Sequence, residues 1–188
     1  MGDGNELAVV DSTRRWISAV VIGLNLCPFA RRVFDAGRVR YVVTAAANGE
    51  TLIADLGGEL RTLALAPREV VETTLLIHPR AFLAFSDYND FLSDADRLVR
   101  DLGFRGMIQI ASFHPEYQFA GTAQNAVENY TNRSPYPMLH LLREESISEV
   151  ATDPAMLDAI PQRNIQTLRG LGLAEIQHRL RSPTNPRE

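Results

Sequence analysis

The apolar positions in the first part of the chain predict helices and strands in alternation. Between Trp16 and Leu24, apolar residues recur at helical spacing, and polar residues suited to a helix cap precede them at 11–13. Three β-branched or apolar runs, at 40–44, 73–77 and 107–111, are typical of strands. Longer runs of helical spacing separate these strands, so the order along the chain is a helix followed by β-α-β-α-β.

That order predicts the fold class. Short strands joined by helices favour parallel pairing with right-handed crossovers. We therefore expect an α/β fold with a small sheet of three or four mostly parallel strands, flanked by helices and extended by helical additions at both termini. A ferredoxin-like α+β arrangement is the alternative. We expect a flexible N-terminus at 1–10, a single domain at 11–181 and a flexible tail at 182–188.

The pattern changes after the third predicted strand. Residues 113–132 are polar and aromatic, which predicts a long loop with one short helix at most, and loops of this length are often functional. Ser134 and Pro135 suit the cap and first turn of a helix, which we expect to run to about Val150. Further helical sequence follows from Pro154 onward.

The composition fits one globular domain that needs no disulfides. The chain has 188 residues, of which 45% are hydrophobic and 22% charged. Its net charge of -4 argues against a general nucleic-acid binder, which would carry a basic excess. All 19 basic residues are arginine, so a lysine Schiff base and a P-loop lysine are excluded.

The sequence indicates a cytoplasmic protein with no membrane partner. The segment from Met1 to Asp11 lacks the basic start of a signal peptide. The longest apolar stretch, Trp16 to Leu24, is far shorter than the roughly 18 residues of a membrane helix. Cys27 is the only cysteine, which fits a reducing compartment and excludes a disulfide within the chain. The oligomeric state stays open.

Cys27 is the first candidate for chemistry. With Pro28 in the first turn of a short helix, its thiol would face free backbone N–H groups and the positive end of the helix dipole, which lower the pKa of a thiol. Arg31 and Arg32 would add to this effect. The alternatives are a buried, inert cysteine and a ligand of a metal or haem.

The segment after the third predicted strand is the second candidate. Ligands in open α/β sheets bind beyond the carboxyl ends of strands, and His114 and Glu116 stand there as candidate acid and base. His78 holds the same place after the second strand, so two imidazoles are expected on one rim. The alternative is that each His-Pro pair merely ends its strand.

The third candidate lies around the predicted helix start at Ser134. Arg133 just before that start suits a carboxylate or phosphate, because the guanidinium and the free N–H groups of a helix would both point at the anion. Asn129, Ser134 and Arg143 are further candidates for substrate binding in the same segment.

His140 is a candidate catalytic residue on the same predicted helix. It lies four residues before Glu144, so the two side chains would share one helical face. That spacing suits a catalytic base and the residue that orients it, or two metal ligands. The alternative is a solvated face of charged residues, whose ion pairs contribute little.

Four runs carry a resemblance to a known family. They are Leu-Cys-Pro-Phe-Ala at 26–30, Phe-His-Pro-Glu-Tyr-Gln-Phe-Ala at 113–120, the segment 128–144 and Ile-Pro-Gln-Arg-Asn-Ile at 160–165. These runs resemble an uncharacterised bacterial family, domain of unknown function 1415, over nearly the whole chain. The family brings no established activity, so the resemblance implies only that these are its signature stretches.

Residues 27–32 are also similar to the active-site turn of glutaredoxins and omega-class glutathione transferases. In those families a strand precedes the cysteine, whereas a helix is predicted here. The later proline-led strand that completes a glutathione site is not found in the sequence. The likeness keeps thiol chemistry open.

These candidates favour an enzyme that acts on a small anionic metabolite, although the sequence leaves open whether the protein is an enzyme. Arg133 and Arg143 would hold the anion, His114 or His140 with a glutamate would move protons, and Cys27 would be a nucleophile or redox thiol. One alternative is a metal- or haem-binding protein. Another is a non-catalytic binding or assembly module. The sequence identifies no cofactor.

Overall fold

A computed structural model describes residues 3–150 and 154–181 of the chain. In chain order the elements are α1 (Asp3–Trp16), a π-helix (Ile17–Ile22), α2 (Ala30–Asp35), β1 (Val39–Val43), α3 (Gly49–Leu65), β2 (Thr73–Ile77), α4 (Phe85–Asp101), β3 (Ile108–Phe113), a 3-10 helix (Val127–Thr131), β4 (Met138–Arg143), α5 (Glu144–Val150), α6 (Pro154–Leu171) and α7 (Leu173–Arg181). None of the helices in these ranges combines the length and apolar character that a membrane span requires.

The N-terminal segment is mostly described by the structure, whereas the C-terminal tail is not. Residues 3–10, expected to be flexible, form the first turns of α1, which begins well before the polar cap at 11–13. The tail expected at 182–188 lies outside the described residues. The division into one domain with two flexible ends stays a prediction.

The sheet confirms the α/β class and corrects the expected strand directions. Its strand order is β1-β2-β4-β3. β1 and β2 are parallel, but β4 is antiparallel to both of its neighbours, β2 and β3. The sheet is therefore mixed, and the prediction of mostly parallel strands is wrong. The chain order β-α-β-α-β-β also differs from the β-α-β-β-α-β order of a ferredoxin-like fold.

The correction comes from a strand where the sequence predicted a helix. The segment after Ser134 forms β4 and only then the short helix α5. β4 lies between two other strands and is covered on both faces, with Leu139 and Leu141 in one core and Met138 in the other. Strands that are buried on both faces show a continuous apolar run, which periodicity cannot distinguish from a buried helix.

Helices α3 and α4 cover one face of the sheet. Asn48 caps α3, because its Oδ1 accepts a hydrogen bond from the backbone N–H of Thr51 at 3.0 Å. The leucines of α3 at helical spacing are fully buried against the aromatic and small side chains of α4. The buried members of this core on the two helices include Leu52, Leu56, Leu60, Leu63, Tyr88, Phe91, Ala95 and Val99.

A second core covers the opposite face of the sheet. It combines side chains of α1, the π-helix, α6 and α7 with Leu75, Ile77 and Met138 of the sheet. The π-helix ends where the N–H of Gly23 bonds to the carbonyl of Ser18 at 3.0 Å. Widened turns of this kind often lie at functional sites, and this one packs over the sheet beside the cavity described below.

Candidate functional site

The structure brings the two predicted rim histidines to one edge of the sheet. His78 follows β2 and His114 follows β3, and both side chains are fully buried. Both rings pack against Tyr88, with ring centroids 5.6 Å and 5.1 Å from that of the phenol. Tyr88 itself donates a hydrogen bond to the carbonyl of Met138 and accepts one from the N–H of Phe113, so it joins β3 to β4.

Both ring nitrogens of His114 are occupied by the backbone. Nδ1 accepts a hydrogen bond from the N–H of Glu116 at 3.0 Å, so the proton of the neutral ring is on Nε2, which donates to the carbonyl of Phe82 at 3.1 Å. Burial lowers the pKa of His114. The Glu116 side chain is exposed. This geometry gives His114 a structural task, because neither nitrogen is free for a substrate.

Asn129 is likewise fully buried and bonded only to its own loop. Its Oδ1 accepts hydrogen bonds from the N–H of Phe119 and the hydroxyl of Thr122, at 3.0 and 2.8 Å. Its Nδ2 donates to the carbonyls of Ala123 and Gln124, at 2.8 and 3.3 Å. A single amide thus holds the turn that precedes it, and all of its hydrogen-bonding capacity is used.

Arg133 and Ser134 do not form the expected anion site at a helix start. No helix begins at Ser134, whose hydroxyl donates to the carbonyl of Tyr136 within the described loop. Arg133 lies over the ring of Tyr130, 4.5 Å from its centroid. Its Nε donates to the carbonyl of Tyr117 and its Nη2 to that of Gln124. The guanidinium therefore holds together distant parts of the loop between β3 and β4.

Arg143 and Glu144 also differ from the predicted arrangement. Nη2 of Arg143 donates to the carbonyls of Leu63, Ala66 and Val71, and so satisfies the C-terminal end of α3. Glu144 is the first residue of α5, whereas His140 lies in β4. The two residues therefore do not share a helical face, and the predicted base and orienting residue are not paired in that way.

The loop that carries Cys27 is held by α6. Arg163 donates from Nη2 to the carbonyl of Asn25 at 2.9 Å, and Asn164 donates from Nδ2 to that of Leu26 at 2.8 Å. Asn25 adopts the left-handed conformation, with φ of 52°. Two of the motif runs singled out in the sequence, 26–30 and 160–165, thus meet in space because one fixes the backbone of the other.

The thiol of Cys27 has a pKa shifted in the direction opposite to the sequence-based expectation. Burial raises the pKa above the ordinary value of 9.0, against the lowering effects of the Phe29 and Ala30 N–H groups and the charge of Arg163. α2 begins only at Ala30, so Cys27 is not its N-cap. The prediction of a stabilised thiolate is wrong, but the thiol does line a cavity.

That cavity lies over the sheet face opposite α3 and α4 and has a volume of about 330 Å³. We call it the sheet-face cavity. Its walls come from the π-helix, α2, α5, α6 and the sheet, and its apolar lining consists of Trp16, Ile17, Val21, Phe29, Ala30, Val33, Phe34, Val39, Leu75, Ala111, Phe113, Leu142, Ile147 and Ile160. Its polar lining consists of Cys27, Arg32, Glu72, Thr73, His140, Arg143 and Ser146.

The register of the sheet places His140 at the centre of the cavity floor. His140 pairs with Leu75 of β2 on one side and with Ala111 of β3 on the other. The methyl group of Ala111 leaves the space beside the imidazole unfilled, and both residues line the cavity. Phe113 lies farther along β3, with its ring 6.2 Å from that of His140 and 5.4 Å from that of Trp16.

The imidazole of His140 belongs to a short hydrogen-bonded chain. Its Nε2 lies 2.7 Å from Oγ1 of Thr73, and that hydroxyl donates to the carbonyl of Leu141 at 2.6 Å. Burial lowers the pKa of His140 to about 4, so the ring is neutral at physiological pH. Of the predicted catalytic residues, His140 and Cys27 are the two that line the sheet-face cavity.

Thr73, Trp16 and Ala111 belong to the cavity but were not singled out from the sequence. Thr73 opens a run of strand-forming residues, Trp16 fits the apolar face of a helix, and Ala111 ends the third predicted strand. No local signal marks any of them, because their common feature is a position on one face of a sheet whose register is set by distant pairing.

A metal centre is not supported within the part of the chain that the structure describes. No group of three or more His, Cys, Asp or Glu side chains there could hold a metal ion. His114 in particular offers no ligand to a metal beside Cys27 or His140, because both of its ring nitrogens are bonded to the backbone.

Comparison with known proteins gives a family and nothing further. A family model described as "Protein of unknown function (DUF1415)" matches residues 8–178, which is most of the chain. No curated protein and no solved structure matches the chain.

Proposed function

The chain belongs to the protein family DUF1415, whose function is unknown, and we propose that it binds a small, mostly apolar molecule in the sheet-face cavity. The observation that carries this proposal is the cavity itself. Its volume of about 330 Å³ falls in the range of about 300–1,000 Å³ that is typical of small-molecule sites, and such sites combine apolar walls with a few polar groups.

The energetics of apolar burial support the same proposal. Removing apolar surface from water contributes about 25 cal/mol per Å². An apolar molecule in the sheet-face cavity covers the apolar walls and so stabilises the fold. An engineered apolar cavity of about 150 Å³ binds benzene, so a molecule with a somewhat larger hydrocarbon part suits a cavity of about 330 Å³.

A small anion is a less suitable ligand than an apolar molecule, because the arginines expected to hold the anion, Arg133 and Arg143, are bonded to the backbone. Nε and Nη2 of Arg133 donate to carbonyl groups of its own loop. Nη2 of Arg143 is bonded to the carbonyls of Leu63 and Ala66 at the end of α3 and to that of Val71 before β2, which leaves only its Nε without a partner among the buried atoms. These cations compensate backbone oxygens, so we place the ligand over the apolar floor of the cavity.

Catalysis on the bound molecule is a second candidate function. The observation that favours it is that Cys27 and His140, a thiol and a neutral imidazole, line the same cavity. With the thiol pKa raised, the thiol would need to lose its proton to a base such as a neutral imidazole before it could attack. In that case Cys27→Ser abolishes turnover of a bound substrate without weakening its binding.

The binding proposal is tested with 1-octanol as the probe. Trp16 is the only tryptophan of the chain and lines the cavity, so its fluorescence reports occupancy directly. We expect saturable changes in Trp16 fluorescence and a melting temperature that rises with probe concentration, because a ligand that binds only the folded state stabilises it.

A pair of matched variants locates the site. Ala111→Leu fills the floor beside His140 and is expected to weaken octanol binding at least tenfold. Ala54→Leu adds the same atoms at an exposed position on α3, on the other side of the sheet, and is expected to leave binding unchanged. Equal affinity in the two variants, or no saturable binding to the unmodified protein, would refute the proposal.

A further inference from the structure

Several polar groups around the sheet-face cavity are committed to protein partners, whereas Nε1 of Trp16, Nε of Arg143 and Oγ of Ser146 are buried without one. The carboxylate of Glu72 is paired with Arg38 at 3.3 Å and with Arg68 at 3.2 Å. Nη2 of Arg143 is bonded to carbonyls at the end of α3. The hydroxyl of Thr73 is bonded on both of its sides. Committed groups of this kind offer little to a ligand.

The two hydrogen bonds of the Thr73 hydroxyl fix the tautomer of His140. The carbonyl of Leu141 only accepts, so the single hydroxyl proton of Thr73 lies in the 2.6 Å bond to that carbonyl. Thr73 Oγ1 must then accept from His140 across the 2.7 Å contact, which places the imidazole proton on Nε2. Nδ1 of the neutral ring is therefore an unprotonated acceptor.

That acceptor is available to a ligand. Nδ1 has no hydrogen-bond partner among the described residues, and the His140 side chain keeps part of its surface accessible while it lines the cavity. The ring sits between Leu75 and Ala111 on the floor, so its neighbours across the strands are both apolar. An unpaired acceptor gains from a hydrogen-bond donor, and neither cross-strand neighbour supplies one.

We propose that the cavity selects a neutral molecule with a hydrocarbon part and a hydroxyl group, an alcohol or a phenol, whose O–H donates to Nδ1 of His140. This inference rests on the proposed function and adds the chemical class of the ligand. The hydrocarbon part lies against Trp16 and Phe113, and the hydroxyl group lies over the floor.

A carboxylate is disfavoured at the same place. A carboxylate only accepts hydrogen bonds, so its lone pairs would oppose the lone pair of Nδ1 unless the imidazole took up a second proton. Burial opposes that proton, since it lowers the pKa of His140 to about 4. Arg32, exposed at the margin of the cavity, and the unpaired Nε of Arg143 are the competing positions for an anionic head group, and the experiment separates them from His140.

The test compares two isomers, 1-octanol and heptyl methyl ether, with octanoate as the third probe. The isomers have the same atoms, but only the alcohol can donate a hydrogen bond. We expect the alcohol to bind about tenfold more tightly than the ether, since one hydrogen bond contributes on the order of 1 kcal/mol and tenfold corresponds to about 1.4 kcal/mol. We expect octanoate to bind more weakly than the alcohol.

Two ring-for-ring variants assign the preference to His140. His140→Phe keeps an aromatic ring and removes the acceptor, so we expect it to bind alcohol and ether equally, with its affinity for the ether unchanged. His78→Phe makes the same replacement at a buried position that does not line the cavity and is expected to retain the tenfold preference. A preference for the alcohol that persists in His140→Phe would overturn the inference.

The remaining outcomes are also decisive. Equal affinity of the unmodified protein for both isomers overturns the hydroxyl assignment but leaves the proposed function standing. Tightest binding of octanoate replaces the hydroxyl assignment with an anionic head group, which lies at the margin if the binding is lost in Arg32→Gln and deeper in the cavity if it persists. Binding of none of the three probes refutes the proposed function itself. Should His140→Phe not fold, ¹⁵N spectra of the histidine rings decide: 1-octanol, and not the ether, must shift Nδ1 of His140.

Discussion

The rim at the carboxyl ends of β2 and β3 and the sheet-face cavity differ in what their polar groups are bonded to. At the rim, His114, Asn129 and Arg133 are bonded to backbone groups of neighbouring loops. In the cavity, His140 is bonded to Thr73 through Nε2 alone. Both regions look equally promising as sequences, since each combines histidine with charged and amide side chains.

The difference teaches which polar residues can still act on a ligand. A buried polar group that is fully bonded stabilises its loop and costs much to disturb. A polar group that has one unused hydrogen-bonding site and faces an apolar cavity is available to a ligand. The comparison therefore predicts large stability effects from substitutions at the rim, and effects on binding from substitutions in the cavity.

The largest expected effect is at the rim. Asn129→Ala removes four hydrogen bonds and leaves backbone groups of a buried turn without partners, so we expect the free energy of unfolding to fall by roughly 3 kcal/mol. Urea denaturation measures this. Asn125→Ala, at an exposed position of the same loop, is the control and is expected to change stability by less than about 0.5 kcal/mol.

Octanol binding to Asn129→Ala sharpens this prediction. If the rim is structural, the folded fraction of the variant binds octanol as the unmodified protein does. An Asn129→Ala protein of normal stability, or one that folds normally and loses octanol binding, would contradict the assignment of Asn129 to loop structure.

The next effect is the pH dependence of stability. Burial lowers the pKa values of His78 at the rim and His140 in the cavity to about 4. The unfolded chain therefore binds more protons than the folded one below about pH 6.5. Each histidine contributes stability that is fully present above about pH 6.5 and is lost as the pH falls towards 4, by about 2 to 3 kcal/mol at pH 4.5.

Urea unfolding between pH 7 and pH 4.5 checks this sign and size. His140→Phe is expected to lose less stability over that range than the unmodified protein, by about 2 to 3 kcal/mol. His178→Phe, at an exposed position of α7, is the control and should keep the original slope. A slope that is the same in all three proteins would show that His140 titrates normally.

The smallest effect is on the reactivity of Cys27. Because the pKa of the thiol is raised above 9.0, its alkylation rate with iodoacetamide should rise about tenfold per pH unit from pH 6 upward, with no plateau below pH 9. Protein unfolded in urea is the control and should reach its plateau at lower pH. A plateau of the native rate near neutral pH would instead indicate a stabilised thiolate and strengthen the catalytic candidate.

Local patterns predicted much of the fold. The strands at 40–44, 73–77 and 107–111 match β1, β2 and β3 to within two residues at each end, and the helices between them are found as α3 and α4. These elements were predictable because their apolar periodicity and caps lie within a few residues of each other. β4 was not predictable, because burial on both faces removes the alternation of apolar and polar residues that identifies a strand.

The candidate site was predictable in its residue types but not in its location. Cys27 and His140 were both singled out, yet for a helix cap and a helical face that the structure does not contain. Their meeting in one cavity depends on β4 pairing between β2 and β3, which brings Thr73 and Ala111 to either side of the imidazole. Pairing between segments so distant along the chain leaves no local sequence signal.

The sequence by itself determined the α/β class, the absence of lysine chemistry and the short set of side chains capable of chemistry, because composition and local periodicity are properties of neighbouring residues. Only the tertiary structure decided which of those side chains are free. A hydrogen bond from Glu116 to His114, or from Thr73 to Leu141, is formed by backbone geometry and sheet register. These bonds occupy His114 at the rim and leave one nitrogen of His140 open on the floor of the cavity.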